Sequence, residues 1–256
     1  MGGPPRSVLE QQILDREWFY EFPLPNGEFT PSYLPEFARS IHSSREAMLF
    51  DFLDPWVQGR WGEMSSLDLA CHEGFFALKL AMKGSRRVAG VDVRSEHLEH
   101  AGWIQAIHNQ QNLQFIQGNI ENLDPSLGTF DIVLAFGILY HVQDLARTLR
   151  NIRAVTGGVC VIETQVAPEL DCELEWGARE WTRQIRGCLA LVDETEDVAK
   201  GSRETGSASY AAVPSLKGLY FLLGRSGFNR VELLPPGPDS HEQHVRSRRV
   251  MLVAFP

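Results

Sequence analysis

The stretch that decides the fold is "SLDLACHEGFFALKLAMKGSRRVAGVDVR", residues 66–94. It begins with a short apolar run, passes through a tight turn into an apolar segment that Gly84 can end as a helix, and finishes in a second apolar run at Asp92. This order predicts a strand, a turn, a helix and a second strand. Such a unit offers backbone N–H groups at the start of the helix and an acid that can accept both ribose hydroxyls, which is typical of nucleotide-binding proteins.

The turn after the first strand leaves two nucleotide cofactors open. The dinucleotide pattern G-x-G-x-x-G falls on Ala70, His72 and Phe75, so its spacing does not fit NAD. The pattern acid-x-G-x-G-x-G, which serves S-adenosylmethionine (SAM), begins at Asp68 and ends at Gly74 and matches at both ends. Because histidine tolerates a positive φ better than most residues, we expect His72 to occupy a glycine position of this turn without large strain.

Segments typical of strands and helices alternate through the following part of the chain. Apolar, strand-like runs occur at residues 113–119, 130–139 and 158–164, with helix-like segments between them. The runs "FNRVELLPP" and "RRVMLVAF" near the end of the sequence predict an antiparallel hairpin. The sequence therefore predicts an α/β, Rossmann-like fold with a mostly parallel seven-stranded sheet, a C-terminal antiparallel hairpin and helices on both faces.

Changes in composition along the sequence divide it into four regions. We expect an N-terminal helical and aromatic cap (1–60), a nucleotide-binding core (61–165), an inserted cover or loop region (166–213), and a last helix and hairpin that complete the core (214–256). The third region contains two acidic clusters, which usually form solvated faces, and a Gly/Ser-rich piece.

Bulk composition limits the classes of function. With 256 residues, 43% hydrophobic and 22% charged, the chain can bury one large core, or one core with a smaller cap. It contains no apolar run of the ~20 residues that a membrane helix needs, and its start lacks a signal-peptide core, so we expect a cytoplasmic protein. The net charge of −9 would repel a polyanion, so nucleic acid is not the expected partner.

The four cysteines form no CxxC pair, so no zinc site or other metal site is expected. We expect reduced thiols that are mostly buried.

Five ordered segments resemble those of a class I SAM-dependent methyltransferase. They are "LDLACHEGFFALKLA", "VAGVDV", "FIQGNIENL", "FDIVLAFGILYHVQDLARTLRNIRAV" and "GGVCVIET". A narrower similarity, carried by "GILYH", "SYAAVPSLKGLYFLLGRSGF" and "FYEFPLPNGEFTPSY", is to the bacterial branch related to the tRNA wobble-uridine carboxymethyltransferases. The resemblance implies the Rossmann-like methyltransferase fold and SAM as cofactor, and therefore favours SAM over NAD.

The resemblance also implies a set of cofactor-binding residues: Ala70, Cys71, His72, Gly74, Asp92, Val93, Asn119, Ile120, Phe136 and Gly137. The residues of the turn would hold the methionine part and Asp92 the ribose. Val93 and Ile120 would enclose the adenine, with Asn119 at its edge, and the last two residues would line the floor beside the sulfonium. Plain core packing is the alternative for the apolar members.

The end of the fourth strand supplies the candidate catalytic residues. His141 is the first candidate for a general base because it titrates near neutral pH, and a structural histidine that supports the turn is the alternative. Tyr140 could orient the acceptor or contact the cofactor.

Basic and imidazole groups also cluster near the C-terminal hairpin. We expect His241 and His244 to be solvated loop histidines, and Arg246, Arg248 and Arg249 to form an exposed, charged hairpin end, although the arginines could pair with an anionic acceptor.

Aromatic residues crowd the N-terminal region. Trp18, Phe19, Tyr20 and Phe22 could form a lid that expels water from the site, and packing on the outside of the core is the alternative for at least half of them.

The predicted function is transfer of a methyl group from SAM to a small-molecule acceptor, with O-methylation preferred. Residues 142–144 are Val-Gln-Asp where the tRNA enzymes commonly have basic residues, which favours ordinary SAM and a small acceptor. The alternatives are a tRNA wobble-uridine-type (carboxy)methyltransferase, an NAD-dependent oxidoreductase and a SAM-binding module without chemistry. The sequence also allows a homodimer.

Overall fold

The computed structural model describes residues 7–201 and 209–256. Its strands are β1 (Ser65–Leu69), β2 (Arg87–Asp92), β3 (Leu113–Gln117), β4 (Phe130–Phe136), β5 (Thr156–Gln165), β6 (Glu173–Ala178), β7 (Trp181–Gln184), β8 (Leu189–Asp193), β9 (Tyr210–Pro214), β10 (Arg230–Leu234) and β11 (Arg249–Phe255). Its helices are α1 (Val8–Leu14), α2 (Glu36–Val57), α3 (Phe75–Met82), α4 (Ser95–Ile107), α5 (Leu145–Val155), α6 (Thr195–Ala199), α7 (Leu216–Arg225) and α8 (Glu242–Val245).

The central sheet has seven strands in the order β10-β11-β5-β4-β1-β2-β3. The strands from β5 to β3 pair in parallel, whereas β11 is antiparallel to both of its neighbours. The prediction of a mostly parallel seven-stranded sheet with a C-terminal antiparallel hairpin is confirmed. The strand order reverses direction between β1 and β4, and in open α/β sheets this crevice beyond the carboxyl ends of the strands is where ligands bind.

Alternating side chains on the central strands fill two cores, one on each face of the sheet. On β11, Met251 and Val253 join the core that contains α3 and the N-terminal aromatic residues. Val250, Leu252 and Ala254 join the core beneath α5 and α7. Both faces are covered, as the predicted parallel arrangement requires, because successive side chains on a strand point to opposite faces.

The N-terminal region is packed into the first of these cores. Trp18 and Phe22 are completely buried, and Tyr20 stacks on Phe75 at the start of α3 with the ring centroids 4.8 Å apart. Helix α2 ends at Gln58 and Gly59, which both adopt left-handed backbone conformations that cannot continue a helix. Arg45 of α2 pairs with Glu163 near the carboxyl end of β5, which places this helix beside that end of the central sheet.

The segment between β5 and α7, predicted as an inserted cover, consists of two small antiparallel sheets and α6. One sheet pairs β6 with β7 and the other pairs β8 with β9. An isolated bridge between Ala167 and Ser215 and a hydrogen bond from Ser215 N–H to the Cys188 carbonyl join this cover to the start of α7. The predicted Gly/Ser-rich piece lies partly in residues 202–208, outside the described residues.

Among residues 7–201 and 209–256, no helix is both long and apolar enough to cross a membrane. Cys71 and Cys160 are buried and Cys172 is exposed, and all four cysteines are free thiols.

Candidate active site

A cavity of about 510 Å³ opens at the carboxyl ends of β1, β2, β4 and β5. It brings together ten of the twelve residues predicted for the site: Ala70, His72, Asp92, Val93, Asn119, Ile120, Phe136, Gly137, Tyr140 and His141. Its size is within the usual range for sites that bind small molecules and cofactors.

The turn that leads from β1 into α3 has the positive φ that the sequence predicts at His72. A second non-glycine residue of the turn, Ala70, also has a positive φ. His72 has a φ of 52° and Gly74 a φ of 81°, and Ala70, which sequence reasoning did not single out for this, has a φ of 57°. A Cβ atom on Gly74 would lie 2.6 Å from the Phe115 ring, so this position requires glycine for close packing as well as for its φ.

Asp92 ends β2 and is held in place by the turn. Its two carboxylate oxygens accept hydrogen bonds from the backbone N–H groups of His72 and Arg94, each at 2.9 Å. Burial alone would raise the pKa of this carboxyl, but the His97 ring and the Arg94 N–H lower the pKa below its ordinary value. An ionised carboxylate at the end of β2 suits a pair of ribose hydroxyls.

The three residues predicted to surround an adenine all line the cavity. Val93 is 48% exposed although it is apolar, whereas Ile120 is buried. The Asn119 side chain accepts a hydrogen bond from Glu121 N–H and begins a short 3-10 turn, which fixes its orientation. Two apolar side chains and an amide in one cavity suit the apolar faces and the polar edge of a nucleobase.

Cys71 and Gly74 lie beside the cavity without lining it. The Cys71 N–H donates to the Val91 carbonyl, and burial together with nearby Asp68 raises the pKa of the thiol well above its ordinary value. Gly74 packs on Phe115. The structure therefore gives these two residues a part in shaping the turn, and their predicted contact with a methionine group stays a prediction.

Asp68, the acid of the predicted SAM pattern, lies behind the turn. It is 2% exposed and accepts a hydrogen bond from Ala77 N–H at 3.1 Å. Burial, reinforced by the charge of Asp92, raises the pKa of Asp68 to about 8. A group in this position acts on the start of α3 and not directly on a ligand in the cavity.

Tyr140 and His141 follow β4 on a 3-10 turn and both face the cavity. The Arg249 Nη2 donates a hydrogen bond to the Tyr140 hydroxyl at 2.9 Å, and the guanidinium also lies over the ring. His141 Nδ1 lies 2.8 Å from Glu194 Oε1, an acid of the cover. The site therefore has a fixed phenol and an imidazole paired with a carboxylate.

A buried cluster of charged residues supports the floor of the cavity. Glu163 on β5 is completely buried and receives Arg45 at 2.8 Å, His244 at 3.1 Å and Arg249 at 3.4 Å. Burial opposes ionisation of Glu163, but Arg45, His244 and Arg249 lower its pKa below the ordinary value. The prediction that His244 and Arg249 are solvated is wrong: they are 2% and 8% exposed because both reach inward to Glu163. Arg246 and Arg248 are exposed, as predicted.

The N-terminal segment contributes both to the cavity and to the core, and the lid predicted for it stays a prediction. Phe19 and Tyr20 line the cavity, whereas Trp18 and Phe22 are core residues. Glu73 fastens this segment to the β1–α3 turn, because its carboxylate accepts the Phe19 N–H at 2.9 Å and pairs with Arg16 at 3.1 Å.

Sequence reasoning missed five residues that shape the site: Arg45, Glu73, His97, Glu163 and Glu194. The last of these carries the least signal, because it belongs to an acidic run that looks like a solvated surface. Glu163 was detectable in principle as an acid inside an apolar strand. Within the described residues, no group of three or more His, Cys, Asp or Glu side chains could hold a metal ion.

A family model described as "Methyltransferase domain" matches residues 62–206, which include the turn, the acid of β2 and the Tyr-His pair. The chain belongs to this methyltransferase family. The prediction of a SAM-dependent methyltransferase is confirmed by this match and by the solved structures of the same fold, and the curated relatives confirm the similarity to the branch of the tRNA wobble-uridine enzymes.

Curated relatives of this methyltransferase include a tRNA U34 carboxymethyltransferase from Trichodesmium erythraeum, which is 31% identical over 182 residues. The match covers 70% of this chain and 49% of the relative. The O-antigen chain terminator bifunctional methyltransferase/kinase WbdD of Escherichia coli is 28% identical over 125 residues, 46% of this chain and 17% of that protein. The chain spans about half the length of the tRNA U34 carboxymethyltransferases it matches.

Solved structures share the fold of this methyltransferase. The N-terminal domain of EvdMO1, crystallised in the presence of SAH and D-fucose, superposes with a TM-score of 0.67 at 19% identity, covering 98% of this chain and 99% of that one. Magnesium protoporphyrin IX methyltransferase from Synechocystis PCC 6803 with bound SAH has a TM-score of 0.56 at 15% identity, covering 88% and 89%. Both likenesses confirm the predicted Rossmann-like methyltransferase fold.

Proposed function

We propose that this protein transfers the methyl group of SAM to a hydroxyl of a small-molecule acceptor, with His141 as general base. The observation that carries the proposal is that one cavity is lined both by Asp92, Val93 and Asn119 and by the Tyr140–His141 pair. Family membership and the SAH-bound structures of the same fold support SAM as the cofactor.

The residues of the cavity fit the parts of SAM. Asp92 would hold the ribose hydroxyls, and Val93, Ile120 and Asn119 the adenine. When bound, SAM supplies a methyl group activated as a sulfonium, so that alignment and exclusion of water provide most of the acceleration. Phe19 and Tyr20 line the cavity and would exclude water from this region.

His141 accounts for the preference for a hydroxyl acceptor. An alcohol must lose its proton during transfer, and a positioned base typically contributes about 10²–10⁴-fold in rate. His141 would take that proton, while Tyr140, fixed by Arg249, would orient the acceptor oxygen. A sugar hydroxyl is the first acceptor class to test, because the EvdMO1 domain was crystallised in the presence of SAH and D-fucose.

A second candidate is modification of tRNA, which is favoured by the names of the curated relatives. The net charge of −9 opposes it, as does the half-length match to those relatives.

In the experiment, the purified chain is incubated with radiolabelled SAM and one class of acceptor at a time. The acceptor classes are D-fucose and related sugars, small phenols and alcohols, and bulk tRNA. We expect saturable SAM binding, no stabilisation by NADH in a thermal-shift assay, and labelled product with a small hydroxyl compound. Labelled product with tRNA and with none of the small molecules would favour the second candidate. Absence of SAM binding would refute both.

A further inference from the structure

The pair formed by His141 and Glu194 joins two distant parts of the chain. His141 lies on the turn after β4, and Glu194 lies between β8 and α6 of the cover. His141 Nδ1 and Glu194 Oε1 are 2.8 Å apart, and the two side chains are only 13% and 9% exposed. Both residues line the cavity.

The backbone of Glu194 is held on both sides. Its N–H donates to the Ser209 carbonyl at 2.8 Å, and its own carbonyl accepts from Val198 N–H at 3.0 Å. Next to it, the Asp193 side chain accepts from Thr195 N–H at 2.9 Å. The carboxylate is therefore presented by a built turn and not by a free loop.

The contact fixes which nitrogen of His141 carries the proton. A carboxylate can only accept a hydrogen bond, so Nδ1 must donate to Glu194. In the neutral ring the lone pair then lies on Nε2. The carboxylate also stabilises the imidazolium that forms when Nε2 takes a proton, as in other histidine–carboxylate pairs.

The burial of Glu194 is not explained by a gain in the stability of the fold. The residue is 7% exposed, and its Oε2 is buried without a hydrogen-bond partner among the described residues. Leaving a carboxylate oxygen unsatisfied costs free energy, and such groups in native structures commonly have a functional explanation.

We propose that Glu194 is a positioning residue that holds His141 in the Nδ1–H form, so that Nε2 carries the lone pair that takes the acceptor's proton. In this step the O–H bond breaks, the proton moves to Nε2, and the oxygen keeps the electron pair. The inference rests on the proposed function for the role of His141 as base, whereas the tautomer itself follows from the geometry.

The first experiment is long-range ¹H–¹⁵N NMR of the histidine rings in the full chain, at an alkaline pH where the imidazoles are neutral. H141Q assigns the signal. We expect the Nδ1–H form of His141 in the wild type, its retention in E194Q because an amide oxygen still accepts, and conversion to mainly the Nε2–H form in E194L. The matched control is E196Q, which removes an exposed acid of α6 that pairs with Lys200 and should leave the signal unchanged.

The second experiment measures turnover with whichever compound of the acceptor panel is methylated. E194L and H141Q should each lower kcat by about 10²-fold, and the double variant should be no worse than H141Q, because the two residues act as a unit. SAM affinity by calorimetry should stay within about twofold for each, since neither residue holds the nucleoside. E196Q should retain wild-type turnover.

A wild-type His141 in the Nε2–H form, or an E194L variant with the wild-type tautomer, would overturn the inference. So would E194L that folds, binds SAM and turns over at the wild-type rate. Failure of the wild type to bind SAM would instead count against the proposed function. The two failures are distinguishable because the NMR measurement requires neither cofactor nor acceptor.

Discussion

Arg45 Nη2 lies 2.8 Å from Glu163 Oε2, and the two side chains join α2 to the carboxyl end of β5 inside the protein. Residues so far apart in sequence meet because α2 lines the cavity at this end of the sheet through Ile41 and Arg45. Arg249 and His244 contact the same carboxylate from the C-terminal hairpin region. The floor of the cavity is thus held by a carboxylate that three separate elements share.

Replacement of Glu163 by glutamine should destabilise the protein strongly. The substitution leaves Arg45 and Arg249 buried without their counter-charge, and breaking a buried pair in this way typically costs about 3–5 kcal/mol. Chemical denaturation monitored by circular dichroism measures this. E232Q is the control, because its partner Arg230 is 62% exposed and the loss of such a surface pair should cost less than about 1 kcal/mol. Equal losses in the two variants would show that the cluster does not support the floor.

His42 should make the protein sensitive to mild acid. The ring is buried between Phe19 and Tyr20, and burial, together with the charge of Arg45, lowers the pKa of His42 to about 2. Below pH 6.5, the ordinary pKa of histidine, the unfolded chain binds a proton at His42, whereas the native state does not. The contribution of His42 to stability is therefore full above pH 6.5 and falls below it, by up to about 1.4 kcal/mol per pH unit.

H42F should remove this slope between pH 6.5 and 4.5. Below pH 4.5, which is the ordinary pKa of the Glu163 carboxyl, both proteins should begin to lose a second contribution to stability. The pKa of this carboxyl is lowered in the folded protein, so it stabilises the fold only while the unfolded chain is also ionised there. Unfolding free energies across the pH range give the comparison. Parallel curves for the wild type and H42F above pH 4.5 would mean that His42 is protonated in the native state.

Gly74 should be far less replaceable than Gly84. Both have positive φ, 81° and 92°, which costs an alanine about 1–2 kcal/mol at either position. A Cβ on Gly84 meets nothing within 4 Å, whereas one on Gly74 would lie 2.6 Å from the Phe115 ring and forces the overpacking that typically costs about 1–3 kcal/mol more. Denaturation of G74A and G84A measures the difference, and equal losses would show that Phe115 moves aside freely.

The sequence predicts the parts of the site that depend on local pattern. A strand followed by a turn and a helix fixes where the positive-φ residue His72 lies, and the parallel order of the strands brings Asp92, Asn119 and Tyr140 to one edge of the sheet. These predictions needed no knowledge of which distant segments meet.

The predictions that failed, and the residues that were missed, depend on long-range contacts. His244 lies in a polar hairpin loop that looks solvated, and only the buried carboxylate of Glu163 turns it inward. Glu194 is 53 residues from His141, in an acidic run whose sequence resembles any exposed surface. The contact between Glu194 and His141 depends on the path of the cover's backbone. The sequence of the cover has no hydrophobic periodicity from which that path could be predicted.

Asp92 carries the central claim that the cavity binds a sulfonium nucleoside. The measurement is isothermal titration calorimetry of SAM with the wild type, with D92N, and with the control D124N, which alters an exposed aspartate that likewise accepts a backbone N–H in a turn. Melting curves identify variants that remain folded, and D92E tests whether a carboxylate at this position restores binding. We expect D92N to lose at least about tenfold in SAM affinity, or about 1.4 kcal/mol, and D124N to bind as the wild type does. A folded D92N with unchanged affinity would contradict the assignment of the ribose site, and a wild type that binds no SAM would contradict the account as a whole.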